Sequence, residues 1–443
     1  MTDAAERLAR LVRVPLGGPL PLRLRAWDGS EVGPLGGPVL VVRNRRALRQ
    51  LAWKPGELGL ARAWVAGDLD IEGDLYEALI RLSSVARACR TEGSPEHRVG
   101  RRTLAALRSP GNLRLAVEAL ALAGVGLPPP PPREEAVSRH GRLHGLRRDR
   151  EAVTHHYDVG NDFYSLVLGP SMVYSCAYWE NPQATLEEAQ YAKLDLICRK
   201  LGLRPGQRFL DVGCGWGELV AHAVEHYGVQ AVGITISEEQ AVFARKRLAG
   251  AGWSDRAEIR VQDYREIEDG PYDAISSIGM AEHVGSAQFR TYADIMRTLL
   301  RPGGRLLNHQ IACRPRADGV PHRAGEFIGR YVFPDGELAP VGTTTALLEE
   351  AGFEVRDVEA LREHYARTLR AWVANLERNW AEAARLTTIG RARVWRMYMA
   401  ASALAFEENR IGVNQILAVR TTAAGNAKMP PTRTQWLTCT TAN

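Results

Sequence analysis

Residues Phe209 to Gly217 read Phe-Leu-Asp-Val-Gly-Cys-Gly-Trp-Gly, and this stretch constrains the chain more than any other. It predicts a strand that enters a turn with glycine at 213, 215 and 217, followed by a helix from about Glu218. Glycine lets the backbone turn sharply and admits a ligand where a Cβ would collide, and the helix start offers unpaired N–H groups. Such turns also serve packing alone, so the neighbouring residues have to decide between the two uses. The stretch is not a phosphate loop, because no Gly-Lys-Ser/Thr ending follows. Its G-x-G-x-G spacing also departs from the dinucleotide G-x-G-x-x-G.

Asp211, immediately before the turn, suits a ligand that carries positive charge. S-adenosylmethionine, with its sulfonium, amino group and ribose, is such a ligand. Around the turn the periodicity is that of alternating strands and helices, with strands expected at 207–212, 229–235, 257–262, 272–278 and 304–312. Helices are expected at 186–201, 218–227, 238–250 and 287–300, late strands at 353–358 and 414–420, and a Trp- and Tyr-rich helical region over 362–409. The expected fold class is α/β, a doubly wound sheet with a smaller N-terminal α+β domain. The expected division is a first domain over 1–127, a Pro-rich and basic linker over 128–150, a larger α/β domain over 151–421 and a disordered tail over 422–443.

Charge and cysteine usage exclude several classes. Six cysteines without a CxxC pair argue against a zinc site and a disulfide framework, and no metal is expected. Acids and arginines fill the first thirteen residues, where a signal peptide would need an apolar run. The longest apolar tract, Leu115 to Leu127, contains Glu118 and falls short of the roughly 20 residues that cross a bilayer. The net charge is +6, and between Arg98 and Arg150 eleven arginines stand against four acids. That concentration fits an anionic surface or a solvated face, and Leu104, Leu107, Leu113, Val117 and Leu120 among the arginines suit a membrane surface or internal packing. The expected location is cytoplasmic, peripherally attached to the inner face of the cell membrane.

In an open α/β sheet, ligands sit beyond the carboxyl ends of the strands. Strand two ends with Thr235, Ser237 and Gln240, strand three with Asp263 and Tyr264, and strand four with Gly279-Met-Ala-Glu-His-Val284. Asp263 is placed to accept the adenine amino group, and Thr235, Ser237 and Gln240 to bond the ribose or nearby groups. Ser237, followed by glutamates, is equally a helix cap. A second cluster, His155 to Tyr164 and then Met172 to Trp179, is too dense in polar and aromatic side chains for an ordinary loop.

The stretches His155 to Tyr164, Tyr174 to Trp179, Phe209 to Gly217, Gly233 to Gln240, Gly279 to Gly285 and His364 to Leu369 together resemble the cyclopropane fatty acid synthases and mycolic acid cyclopropane synthases. The resemblance covers roughly 150–420 and implies a class I methyltransferase fold, with the methyltransferase domain over 151–421; the first module resembles the N-terminal domain of the longer, phospholipid-acting members, which implies an accessory, lipid-binding role for 1–127. It implies methylation of the cis double bond of an unsaturated phospholipid acyl chain by S-adenosylmethionine through a carbocation. It further implies a bound bicarbonate as base, with Glu282, His309 and Tyr365 as side-chain ligands and the N–H groups of Cys176 and Ile311 completing the set. Tyr174, Ser175, Gly213, Gly215 and Gln240 match cofactor positions, and Asp211, Gly217, Thr235, Ser237, Asp263 and Tyr264 join them from the reading above. Cys176 serves as a backbone ligand rather than a nucleophile. No carboxylate ends strand two, as in the family, while the residues flanking His309 differ from its commonest pattern.

Proton loss from the added methyl closes a cyclopropane. A hydride shift and proton loss elsewhere leaves a methylene, which a partner reductase would convert to the branch of tuberculostearic acid. Relatives often dimerise, so a homodimer is an expectation of the resemblance. A nucleic-acid methyltransferase is disfavoured, because no Asn/Asp-Pro-Pro-Tyr motif and no target-reading module are present.

Overall fold

The computed structural model describes residues 3–16, 18–91, 113–124, 126–136, 148, 159–316 and 322–437. His155 to Asp158 and most of the basic stretch between Arg98 and Arg150 lie outside them. The chain divides into two compact units, Met1–Val137 with Gly325–Val332 and Thr387–Leu404, and Ser138–Ala324 with Phe333–Leu386 and Ala405–Asn443. The boundary is therefore not crossed once, as the linear division at 128–150 has it.

Two later segments join the first unit because residues far upstream satisfy their polar groups. The Glu57 carboxylate accepts the N–H groups of Glu326 and Phe327 at 3.0 and 3.1 Å. Arg393 donates to the Trp64 carbonyl at 2.7 Å and to Asp70 at 3.2 Å, while the Trp64 indole donates back to the Arg393 carbonyl at 3.0 Å. The rest of this unit is a four-stranded sheet in the order β2-β1-β3-β4: β1 Arg23–Arg25, β2 Glu31–Val32, β3 Val39–Val42 and β4 Leu69–Glu72. Around it lie α1 Ala4–Leu16, α2 Arg46–Trp53, α3 Glu57–Val65, α4 Leu75–Thr91 and α5 Leu113–Ala123. In α5 Val117 is exposed and Leu122 is buried, while Leu104, Leu107 and the side chains of Leu113 and Leu120 lie outside the described residues.

The second unit carries a seven-stranded sheet with the order β12-β13-β9-β8-β5-β6-β7. Its strands are β5 Arg208–Val212, β6 Gln230–Thr235, β7 Ala257–Val261, β8 Tyr272–Ile278, β9 Leu300–Cys313, β12 Glu354–Ala360 and β13 Ile411–Val419; β10 His322–Arg323 and β11 Glu337–Leu338 form a separate pair. β5 pairs in parallel with both β6 and β8, whereas β13 runs antiparallel to β9 and β12. The chain leaves β5 in one direction and returns to β8 on its other side, so a crevice opens where the order reverses.

The helices of this unit are α6 Asn161–Leu168, α7 Leu186–Leu201, α8 Glu218–Tyr227, α9 Glu238–Gly250, α10 Ala281–Val284, α11 Phe289–Leu299, α12 Val341–Glu350 and α13 Arg362–Arg378. Local signals set their ends. Thr185 and Glu188 form a reciprocal capping box at the start of α7, and Gly202 ends it in the left-handed region. Two apolar layers cover the sheet, one built on Phe209, Val220, Val224 and Leu307, the other on Leu210, Val212, Tyr292 and Met296. Consecutive residues of β5 thus feed opposite layers, which is why the strand reads as a continuous apolar run.

The stretch expected to be a disordered tail is ordered as far as Leu437. Thr422 donates to the Asn426 carbonyl at 3.0 Å. A short helix, Arg433–Leu437, buries Trp436 beside α7. One large aromatic side chain supplies enough apolar area to pin such a segment, a signal that its polar composition hides.

Candidate active site

The three glycines of the turn have three different reasons. All have positive φ, +80° at Gly213, +54° at Gly215 and +80° at Gly217. A Cβ at Gly213 would strike the Met280 side chain, and one at Gly217 would meet the Ala244 methyl at 2.8 Å. At Gly215 a Cβ would meet nothing within 4 Å, because that residue borders an open cleft. Gly217 is therefore explained by packing of α8 against α9, and Gly215 is the position left open toward the cleft. The turn is folded back on the sheet by the Ile234 carbonyl, which accepts the N–H groups of Gly213 and Cys214 at 3.0 and 2.8 Å.

The cleft at the switch point brings together Gly213, Gly215, Thr235, Gln240, Asp263 and Tyr264. Met280, Gln262 and His283 also line it and were not singled out by sequence, although Met280 and His283 flank the Glu282 motif. Thr235 Oγ1 donates to Gln240 Oε1 at 2.8 Å, leaving the Gln240 amide NH2 for other partners. Ser237 caps α9 by accepting the Gln240 N–H at 3.3 Å and does not line the cleft. Asp263 accepts from the Arg265 backbone N–H and guanidinium at 2.9 and 2.7 Å, so it holds the turn after β7 while bordering the cleft. Tyr174, Ser175, Asp211 and Gly217 are likewise not part of the lining. Asp211 is buried beneath the turn, where Ser276 Oγ donates to it at 2.6 Å. Burial raises its carboxyl to about 6 against the pull of Ser276 and Lys193.

The loop from Tyr174 to Trp179 is strapped to α13, which explains why these two distant motifs occur together. The Ala177 N–H donates to Thr368 Oγ1 at 3.2 Å and the Trp179 N–H to His364 Nδ1 at 2.9 Å. The Trp179 indole donates to the His364 carbonyl at 3.1 Å, and the Tyr178 ring stacks on His364 at 5.0 Å. Cys176 Sγ lies 3.6 Å from the carbonyl of Leu361, whose backbone also accepts the Tyr365 N–H. Burial pushes the Cys176 thiol well above its usual range, so it is no nucleophile. Tyr365 is buried against Phe406 and Trp372, and Trp372 also meets the Tyr174 ring at 5.4 Å.

Glu282 follows the carboxyl end of β8, and His309 lies within β9 beside that end. His309 pairs with Ile278, the last residue of β8, and its carbonyl accepts the Gly279 N–H at 2.8 Å. Glu282, on α10, accepts the Ile311 N–H on Oε1 at 2.7 Å, so the N–H expected to bind an anion is instead spent on the carboxylate. Its other oxygen, Oε2, is shut away from solvent without a hydrogen-bond partner, and so are both ring nitrogens of His309. Burial raises the Glu282 carboxyl to about 7 against the Ile311 N–H, and burial with Lys193 and Lys200 lowers the His309 imidazole to about 3. Three buried polar atoms without partners cost several kcal/mol unless something completes them. A small oxyanion with one proton fits this donor set: a neutral imidazole can donate to it and a carboxylate can accept from it.

A seven-stranded sheet with an antiparallel β13 and a glycine cleft at the β5–β8 switch defines a class I methyltransferase that uses S-adenosylmethionine. The chain belongs to the mycolic acid cyclopropane synthetase family, whose model matches residues 144–416. Over 97% of its length it is 43% identical to a probable fatty acid methyltransferase, Rv3720, of Mycobacterium tuberculosis, covering 98% of that protein. The cyclopropane-fatty-acyl-phospholipid synthase of Escherichia coli K12 is 39% identical over 60% of this chain and 66% of its own. Among solved structures, mycolic acid cyclopropane synthase CmaA1 complexed with SAH and CTAB aligns with a TM-score of 0.58 and 35% identity, covering 61% of this chain and 97% of that one.

Proposed function

We propose that this enzyme methylates the cis double bond of an unsaturated fatty acyl chain and that a bicarbonate held by Glu282 and His309 serves as the base. The observation that carries the reading is the set of unpartnered buried atoms, Glu282 Oε2 and both His309 nitrogens, beside the cofactor crevice. S-adenosylmethionine bound in the cleft supplies an electrophilic methyl group, and bicarbonate supplies a base for the proton that the alkylated chain must lose. Glu282 orients the anion, with its Oε1 fixed by the Ile311 N–H. His309, held neutral by burial, donates without repelling the cationic chain. Tyr365 is the third ligand proposed for the anion, and the aromatic wall of Tyr365, Trp372 and Tyr174 would exclude water and face cationic charge with π-systems. Thr235, Gln240, Asp263 and Tyr264 bind the donor, with Tyr174 and Ser175 closing its amino-acid end.

The acyl carrier is the point on which the relatives bear. The match to a relative named a phospholipid synthase is too short to include both units in full, whereas a named fatty acid methyltransferase matches almost throughout. Phospholipid acyl chains remain the substrate proposed here, reached from an anionic membrane surface through the arginines between Arg98 and Arg150. Among the described residues no helix is long and apolar enough to cross a membrane. Incubation with S-adenosylmethionine and oleoyl phospholipid vesicles, read by proton NMR, tests the reading. High-field ring protons are the expected result, vinylidene protons point to the methylene product and a reductase partner, and unchanged lipid beside methylated free oleate overturns the phospholipid assignment. Binding to anionic but not neutral vesicles, weakening with salt, is expected of the surface reading.

A further inference from the structure

Lys193 and Lys200 are two fully buried lysines of α7, 2% and 1% exposed. Lys200 is explained by its partners: Nζ meets Glu359 Oε2 at 2.5 Å and Gln415 Oε1 at 2.7 Å. Lys193 has no such account. Its Nζ donates to Ser175 Oγ at 2.9 Å, and among the described residues no carboxylate lies within ion-pair distance of it. Burying an ammonium against a neutral hydroxyl is costly, and an apolar side chain of the same length would pack at lower cost. The charge therefore calls for a use.

We infer that Lys193 is a positioning residue for the methyl donor, acting through the Ser175 hydroxyl. An ammonium has only donors, so Ser175 Oγ must accept from it, and the serine's own proton is left for a different acceptor. Ser175 stands between Tyr174 and Cys176 in the loop strapped to α13. The acceptor that suits this O–H is the carboxylate of an S-adenosyl amino acid. Lys193 would also place positive charge on the side of that carboxylate, and Asp211, buried beneath the glycine turn, acts electrostatically on the same ammonium. The inference rests on Ser175 facing the donor, and the test separates the two claims.

The groups facing Lys193 are Asp211 from β5, Glu218 from α8, Cys176 from the strapped loop, Cys198 from its own helix and His309 from β9. Glu218 is paired with Arg247, the thiols are held protonated by burial, and His309 is held neutral. Burial lowers Lys193 to about 8, so above that pH a neutral amine can accept the serine proton and turn the hydroxyl away from the ligand.

The experiment is calorimetry of S-adenosylhomocysteine binding to the full chain between pH 6.5 and 9, comparing wild type, Lys193→Met, Lys193→Arg, Ser175→Ala and the Lys193→Met/Ser175→Ala double variant, with apo melting temperatures as the fold control. Lys193→Met and Ser175→Ala should each weaken binding about tenfold at pH 7, the double variant no further, because both remove one charge-assisted link. The wild-type affinity should fall as pH passes about 8, with that step flattened in both single variants, and Lys193→Arg should restore part of the affinity. Undiminished affinity in Ser175→Ala overturns the placement of Ser175 at the donor. Weakened binding in Ser175→Ala with wild-type affinity and pH profile in Lys193→Met overturns the role of the lysine alone.

Discussion

Two sets of buried polar groups, one in each unit, are treated in opposite ways. In the first unit Arg62 makes a two-pronged ion pair with Glu135 at 2.7 and 2.8 Å, and Glu135 also accepts the Tyr331 hydroxyl at 3.1 Å. Arg393 is likewise spent on Asp70, two carbonyls and the Trp64 ring. Beyond the carboxyl end of β8 in the second unit, Glu282 Oε2 and the two ring nitrogens of His309 have no protein partner. Complete satisfaction joins segments distant in sequence into one body; incomplete satisfaction at a cleft leaves capacity for a ligand. The two kinds of site should respond to mutation with opposite signs in stability and in activity.

The largest expected effect is at Glu282. Glu282→Gln should cut turnover by about a thousandfold, the range of a positioned base, while S-adenosylhomocysteine binding measured by calorimetry stays near wild type. Its carboxyl is raised by burial, so the folded protein holds a proton that the unfolded chain has released, and stability falls as pH rises from the ordinary carboxylate range through about 7. The glutamine variant should therefore be more stable than wild type at pH 8, by on the order of 1 kcal/mol in denaturant titration. Equal stability at pH 8 would break the contrast. Wild-type turnover should rise with pH through about 7, as the carboxylate forms.

Arg62→Met should do the reverse, lowering stability by about 3 kcal/mol because Glu135 is left buried and unpaired, with cofactor affinity unchanged. Gly215→Val should weaken S-adenosylmethionine binding by about a hundredfold, since a β-branched residue is strained at φ +54° and its side chain enters the cleft. Equal affinity would remove the ligand from that turn. Lys200→Met should cost about 2 kcal/mol through the stranded Glu359, sharpening the difference from Lys193, whose loss should show in ligand affinity instead. The smallest effect is at the α7 cap, where Thr185→Ala should cost about 1 kcal/mol and leave turnover untouched.

Much of the second unit was legible along the chain because its signals are local. Apolar runs bounded by turn residues gave the strands, and the helices over 186–201, 218–227 and 238–250 are found at those bounds. Periodicity along the chain could not show that Gly325–Val332 and Thr387–Leu404 belong with the first unit, because the partners that hold them, Glu57, Trp64 and Asp70, lie hundreds of residues away. Nor could it divide the glycines. Only Met280 and Ala244, arriving from other elements, separate Gly213 and Gly217 from Gly215.

What the sequence determined by itself is the strand–turn–helix unit, its glycine turn and the residue types that crowd the strand ends, since backbone sterics and side-chain period act over a few residues. The tertiary structure decided which of those residues share a cleft, that the loop around Cys176 is strapped to the helix bearing Tyr365, and that Lys193 meets Ser175. It decided the protonation states as well. A carboxylate raised to about 7 and an imidazole lowered to about 3 follow from exclusion of water, and burial is a property of the assembled sheet and its helices rather than of any segment of the chain.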